Sequence, residues 1–151
     1  MKSLREVLAL AGVLVMVGVV VLHYGALPQV IPTHFNGAGV ADGWGPKSMV
    51  WILVGLGCVL YVTMTLASFF PSLISVPVSA ERKAAALPLV IEMAEWVKAE
   101  AVCMIAWICW MTMQVALGRS EGLGLWFLPV TMVGVFGTAG FYLWRIYKVP
   151  V

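Results

Sequence analysis

The chain has 151 residues, of which 62% are hydrophobic and only 11% charged, with a mean hydropathy of +1.01. A soluble domain carries about 25% charged residues, so this chain has too little charge to cover a water-facing surface and reads as a polytopic integral membrane protein. The net charge of +2 comes without the basic patch that DNA or RNA requires, which excludes a nucleic-acid partner.

The first apolar run, Val7 to Tyr24, follows Lys2, Arg5 and Glu6. A secretory signal has a hydrophobic region of about 7–15 residues and a small residue before its cleavage point. This run is longer, and Tyr24-Gly25-Ala26 places an aromatic ring where a small side chain is needed, so it is expected to be a retained helix over about 5–26. Pro28 and Pro32 then forbid helix, and glycines at 37, 39, 43 and 45 make 27–47 a structured loop. A second helix is expected over 48–70, ending at Pro71. A connector from Pro71 to Ala86 carries Pro77 and the charge trio Glu81-Arg82-Lys83 and leads into a third helix over 84–117. The turn Gly118-Arg119-Ser120-Glu121-Gly122 opens the fourth, over 123–147, in which Pro129 is expected to cause a kink. The expected fold is an all-α membrane domain spanning 1–151, with four transmembrane helices in a bundle and one structured outer loop. The three cysteines, Cys58, Cys103 and Cys109, fall in apolar runs and read as small buried hydrophobes.

Orientation follows from lysine and arginine placement. Lys2, Arg5, Arg82, Lys83, Lys98, Arg145 and Lys148 fall on one side, seven against Lys47 and Arg119 on the other. Both termini are therefore expected in the cytoplasm, with the 27–47 loop outside a bacterial or archaeal cytoplasmic membrane.

Chemistry concentrates in that loop. His34 and Asp42 are suitable ligands for a divalent metal, and Asn36 is near them in sequence. The competing reading has Asn36 and Asp42 closing side-chain-to-backbone turns while His34 packs at the interface. Phe35 and Trp44 read either as an aromatic belt or as a surface gripping a ligand, with Lys47 beside them. His23 is expected at the interface, where it would be able to face His34.

In the third helix, Glu92, Glu95 and Lys98 share a face and read as a solvated face or as mutual ion pairs. Glu100 is expected just inside the hydrocarbon, where it needs a partner: Lys98, Arg145 or a polar ligand. Gln114 lies further along nearly the same face, toward the loop. Gly134, Gly137 and Gly140 on the fourth helix, with Gly55 and Gly57 on the second, read as small residues that let helices approach. No Gly-x-Ser-x-Gly, Walker, His-Glu-x-x-His, Cys-x-x-Cys or dinucleotide fingerprint is present.

The run Leu27-Pro28-x-x-Ile31-Pro32-Thr33-His34-Phe35-Asn36, followed by Gly39, Asp42-Gly43-Trp44-Gly45 and Lys47, resembles the signature of a prokaryotic membrane domain of unknown function, number 1648. That domain also forms the N-terminal part of the SdpI-type immunity proteins. The resemblance covers about residues 5–70 and implies a small multi-helix membrane protein with the loop outside. In the immunity proteins it implies protection against an extracellular toxin and signalling through a repressor held at the membrane.

Three functions follow as expectations. The first is a non-enzymatic protein whose outer loop binds a partner protein, peptide or lipid, as in immunity, signalling or an accessory subunit of a membrane complex; this reading expects no cofactor. The second is a metal-assisted intramembrane hydrolase or transferase, with a divalent metal on His34 and Asp42, Asn36 orienting substrate and Glu100 as a distant acid or base. The third is a transport component, in which a homo-oligomer uses the polar face from Glu100 to Gln114.

Overall fold

Helix formation in the first run begins earlier than its apolar stretch: α1 spans Lys2–His23 and ends in a short 3-10 turn, Tyr24–Ala26. The structure, a computed structural model, describes residues 2–70 and 80–149. Two strands follow, β1 (Val30–Phe35) and β2 (Ala41–Pro46), then a 3-10 turn at Lys47–Met49 and three helices, α2 (Val50–Phe69), α3 (Ala80–Ala116) and α4 (Phe127–Tyr147). All four helices are long and apolar enough to cross a membrane, and the chain is a multi-pass membrane protein.

Several expected boundaries are corrected. The structured loop expected over 27–47 contains a two-stranded antiparallel hairpin, which the all-α expectation did not include. The third helix starts at Ala80, so Arg82 and Lys83 are helical, while Pro71, Pro77 and the rest of 71–79 lie outside the described residues. Pro129 is the third residue of α4, not an interior one. The first N–H groups of a helix have no intrahelical acceptor, so a proline in the first turn costs no hydrogen bond and gives no reason for a kink. An interior proline exists elsewhere, at Pro88 of α3.

α3 is the hub, packing against α1, α2, α4 and β1. Its 37 residues span about 55 Å at 1.5 Å per residue, well beyond a hydrocarbon core of about 30 Å. Its buried positions, Glu95, Lys98, Val102, Ile105, Cys109 and Met113, recur every three or four residues and form one stripe. α1 answers with Arg5, Ala9, Gly12, Met16 and Val20. Gly12 permits close approach, because a Cβ there would lie 2.9 Å from Val102 Cγ1. Above this seam Met16, Val20, Leu27, Ile31, Val50, Val54, Ile105 and Met113 form the main core, which joins three helices to the foot of β1. The three cysteines are free thiols.

The lower part of the α1–α3 seam is ionic. Arg5 donates through Nη1 to Glu92 Oε1 (2.5 Å) and through Nε to Glu95 Oε2 (3.0 Å). Lys98 Nζ donates to Glu6 Oε2 (2.5 Å) and to Thr65 Oγ1 of α2 (3.0 Å), and the Tyr61 hydroxyl donates to Glu6 Oε1 (2.6 Å). Arg145 of α4 approaches Glu92 at 3.8 Å. The expectation of a solvated face on α3 is thereby overturned: Glu95 is 3% and Lys98 1% exposed, and their partners sit mainly on α1. Sequence spacing within α3 favoured mutual pairing, whereas helix packing delivers opposite charges from another helix. Since Arg5 and Arg145 both meet Glu92, the start of α1 and the end of α4 lie at one end of the bundle.

Removing one member of a buried ion pair costs several kcal/mol, because its partner keeps its desolvation penalty. Arg5→Met is expected to lower stability by about 3 kcal/mol in denaturant unfolding in mild detergent. Lys148→Met, which removes only an exposed cation over the Trp144 ring, is the control and should stay within about 1 kcal/mol.

Candidate functional site

The hairpin is closed by a turn at its tip and by a cross-strand hydrogen bond at its base. At the tip, Asn36 N–H donates to Val40 O (2.9 Å) and Gly39 N–H to Asn36 O (2.8 Å). The Asn36 side-chain Oδ1 accepts from the amides of Ala38 (3.0 Å) and Val40 (3.1 Å), so this residue closes the turn rather than facing a ligand. At the base, Lys47 N–H donates to Gln29 O (2.9 Å).

Pairing runs Val30 with Pro46, Ile31 with Gly45, Pro32 with Trp44, His34 with Gly43 and Phe35 with Ala41. Thr33 and Asp42 therefore have no opposite number, and each marks a bulge. Bulges re-aim side chains, and here His34 Nδ1 meets Asp42 Oδ1 at 2.5 Å. Gly43 makes this possible, because a Cβ there would lie 2.8 Å from His34 Cβ. The pair is well solvated, with side chains 70% and 44% exposed. With Nδ1 engaged, the ring leaves Nε2 free, an acceptor when neutral and a donor when protonated.

The hairpin is docked as well as folded. Leu123 N–H donates to Gly39 O (2.7 Å), and Val40 bridges to Gly122 in the α3–α4 turn. Backbone meets backbone here without side chains between. Gly39 has φ +77° and a Cβ on it would lie 2.6 Å from Gly124 O, while a Cβ on Gly122 would overlap the Gly39 carbonyl oxygen.

Beneath the docked hairpin runs a groove of about 390 Å³, lined by Ile31, Pro32, Thr33, His34 and Phe35 of β1, Met49 to Leu56 around the start of α2, Ile108 and Thr112 of α3, and Leu123 and Phe127. Its walls are almost wholly apolar, and its polar groups are His34, Thr33 and Thr112. It descends from the hairpin along α2 and α3, past Leu53 to Leu56.

The other residues singled out in sequence do not join this pair. Lys47 stands at the far end of the hairpin, its Nζ 5.0 Å from the centre of the Tyr24 ring. Trp44 projects outward, 57% exposed. His23 turns back to the Val19 carbonyl (2.9 Å) and sets its ring edge against Trp110, not toward His34. Gln114 lies near the hairpin end of α3, with a buried Nε2 that has no hydrogen-bond partner among the described residues. Glu100 lies apart, bonded to Thr138 of α4 rather than to Lys98 or Arg145. Among the described residues no group of three or more His, Cys, Asp or Glu side chains is placed to share a metal. His34 and Asp42 thus offer two ligands to such an ion.

A family model described as "Domain of unknown function (DUF1648)" matches residues 11–58, from α1 through the hairpin into α2, about a third of the chain. Neither the curated proteins nor the solved structures contain a match to the chain.

The docking contact is directly testable. Gly122→Ala forces backbone apart, and over-packing of this kind costs about 1–3 kcal/mol. Amide exchange at Leu123, which donates to Gly39 O, is expected to speed up tenfold or more, with amides of the α1–α3 seam unchanged.

Proposed function

We propose that this protein is a non-enzymatic membrane binding module, and that the groove under the hairpin receives an apolar peptide segment of a partner. One observation carries this reading: the hairpin is clamped at its tip to the α3–α4 turn and holds open an apolar groove, with a solvated His–Asp pair at its rim. A preformed apolar cleft with a few polar groups is the usual form of a binding site, and a rigid one binds with little ordering cost. Apolar side chains of the partner would enter between Phe35, Leu53 and Phe127, while His34 would meet a backbone or side-chain polar group.

The positive-inside count supports placing the hairpin outside the cytoplasmic membrane, with both termini in the cytoplasm. A partner would then arrive from the extracytoplasmic side or laterally through the bilayer. Toxin immunity coupled to signalling, as the resemblance to SdpI-type proteins implies, is one instance of such binding, and an accessory role in a membrane complex is another.

A metal-assisted hydrolase is the weaker reading. His34 and Asp42 do meet, but two ligands leave a divalent site half built, and Glu100 faces a different cleft.

A photoreactive residue at Thr33, in the groove, and another at Val133, on the exposed face of α4, separate the possibilities in living cells. The expected outcome is a discrete peptide or protein adduct at position 33 alone, reduced at least fivefold when Leu53→Trp fills the groove. Adducts to lipid only, or the same adducts at both positions, would contradict the reading. In the same cells a cysteine placed at Ala38 should react with a membrane-impermeant maleimide, and one at Lys148 should not.

A further inference from the structure

Among the described residues, the ionic seam of α1, α3 and α4 pairs the cations Arg5, Lys98 and Arg145 with the carboxylates Glu6, Glu92 and Glu95. Glu100 is a further carboxylate on α3, and it takes no part in those ion pairs. Its Oε1 accepts from the Thr138 hydroxyl at 2.5 Å, while its Oε2 is buried and has no hydrogen-bond partner among the described residues. A carboxylate at membrane depth with one neutral donor is an expensive arrangement unless a cation completes it.

The surroundings show where a cation would come from. Glu100 lines a cleft of about 510 Å³ between α3 and α4, whose walls are apolar and include Met104, Trp107, Trp126, Phe127 and Val130. Trp107 and Val130 are 47% and 65% exposed, so the cleft opens sideways onto the lipid-facing surface. Gly134 also lines it, and a Cβ there would meet nothing within 4 Å. Gly137 and Gly140 are equally open, which corrects the expectation that these glycines bring helices together. Of the five glycines so expected, Gly57 alone, whose Cβ would lie 2.5 Å from Met16 Sδ, fills that role, while Gly55 also faces open space.

We propose that the α3–α4 cleft binds an amine-bearing amphiphile, with its ammonium group on Glu100 and its apolar chain along Trp107, Trp126 and Val130. Charge complementarity selects the head, and the apolar walls with their lateral opening select the tail. The terminal torsion of a glutamate is broad, so either oxygen can turn to meet an ammonium donor while the other keeps Thr138. A bare hard cation such as calcium is poorly served, since Glu100 is the one carboxylate among the described residues that line the cleft, and it is joined there only by the Thr131 hydroxyl and the Cys103 thiol. The cleft shares Leu123 and Phe127 with the hairpin groove but opens on a different side of them.

The test is photolabelling of the full chain in zwitterionic lipid nanodiscs with a long-chain primary amine that carries a diazirine near the middle of its chain. Adducts are expected on Met104, Trp107 or Val130, competed away by decylamine and not by decanol. Glu100→Gln keeps an oxygen for Thr138 and should reduce labelling at least tenfold. Gly134→Leu fills the cleft without touching the carboxylate and should do the same. Equal labelling of Glu100→Gln, equal competition by decanol, or adducts spread evenly over the lipid-facing side of α2 would each overturn the proposal. Retained labelling with Gly134→Leu would place the amine elsewhere and would overturn it too.

Discussion

The fold depends on the way charge is carried into an otherwise apolar bundle. Arg5, Glu6, Glu92, Glu95, Lys98 and Arg145 would each be costly alone in hydrocarbon, and among the described residues they are brought in as cations matched with carboxylates. The set joins α1 to α3 near one end of the bundle, recruits α2 through Thr65 and Tyr61, and reaches α4 through Arg145. Apolar contacts alone give helices in lipid little preference for one neighbour over another, because lipid tails are as apolar as the side chains. An ion-pair seam supplies that preference. With α1 registered on α3, the seam above it falls into place from Gly12 to Met113, and Ile31 at the foot of the hairpin joins the same core.

At the other end, registration is achieved with backbone rather than charge. The hairpin tip is held at Gly39 and Gly122, where main chain approaches main chain too closely for any side chain. The hairpin groove and the Glu100 cleft both include Leu123 and Phe127, the residues that follow this contact. The two clefts differ in chemistry: one has a solvated His–Asp pair at its rim, the other a carboxylate in its wall.

What sequence revealed follows from the range of each interaction. Helix number and approximate limits were legible, because long apolar runs need no knowledge of neighbours. The turn chemistry of Asn36 was legible as one of two readings for the same reason, as it involves only Ala38 and Val40. The strands were missed because glycines and prolines outweighed a real signal, the β-branched run around Val30, Ile31 and Thr33 before Asn36-Gly37. The partners of Glu92, Glu95 and Lys98 lie about 90 residues away on α1, beyond any local spacing rule. The docking of Gly39 on Gly122 left no local trace, since one glycine in a turn resembles another. Glu100 was recognised as needing a partner, yet Thr138, a common residue on an apolar helix, gave no reason to be chosen.

The ion-pair seam is tested most directly by a double-mutant cycle on its most buried cation and the carboxylate it meets on α1: Lys98→Met, Glu6→Gln and the two together, each unfolded by denaturant in mild detergent. If the pair acts as one unit, each single replacement destabilises strongly, and the double variant recovers much of the loss, with a coupling of about 1.5 kcal/mol or more. Losses that add to within about 0.5 kcal/mol would contradict it.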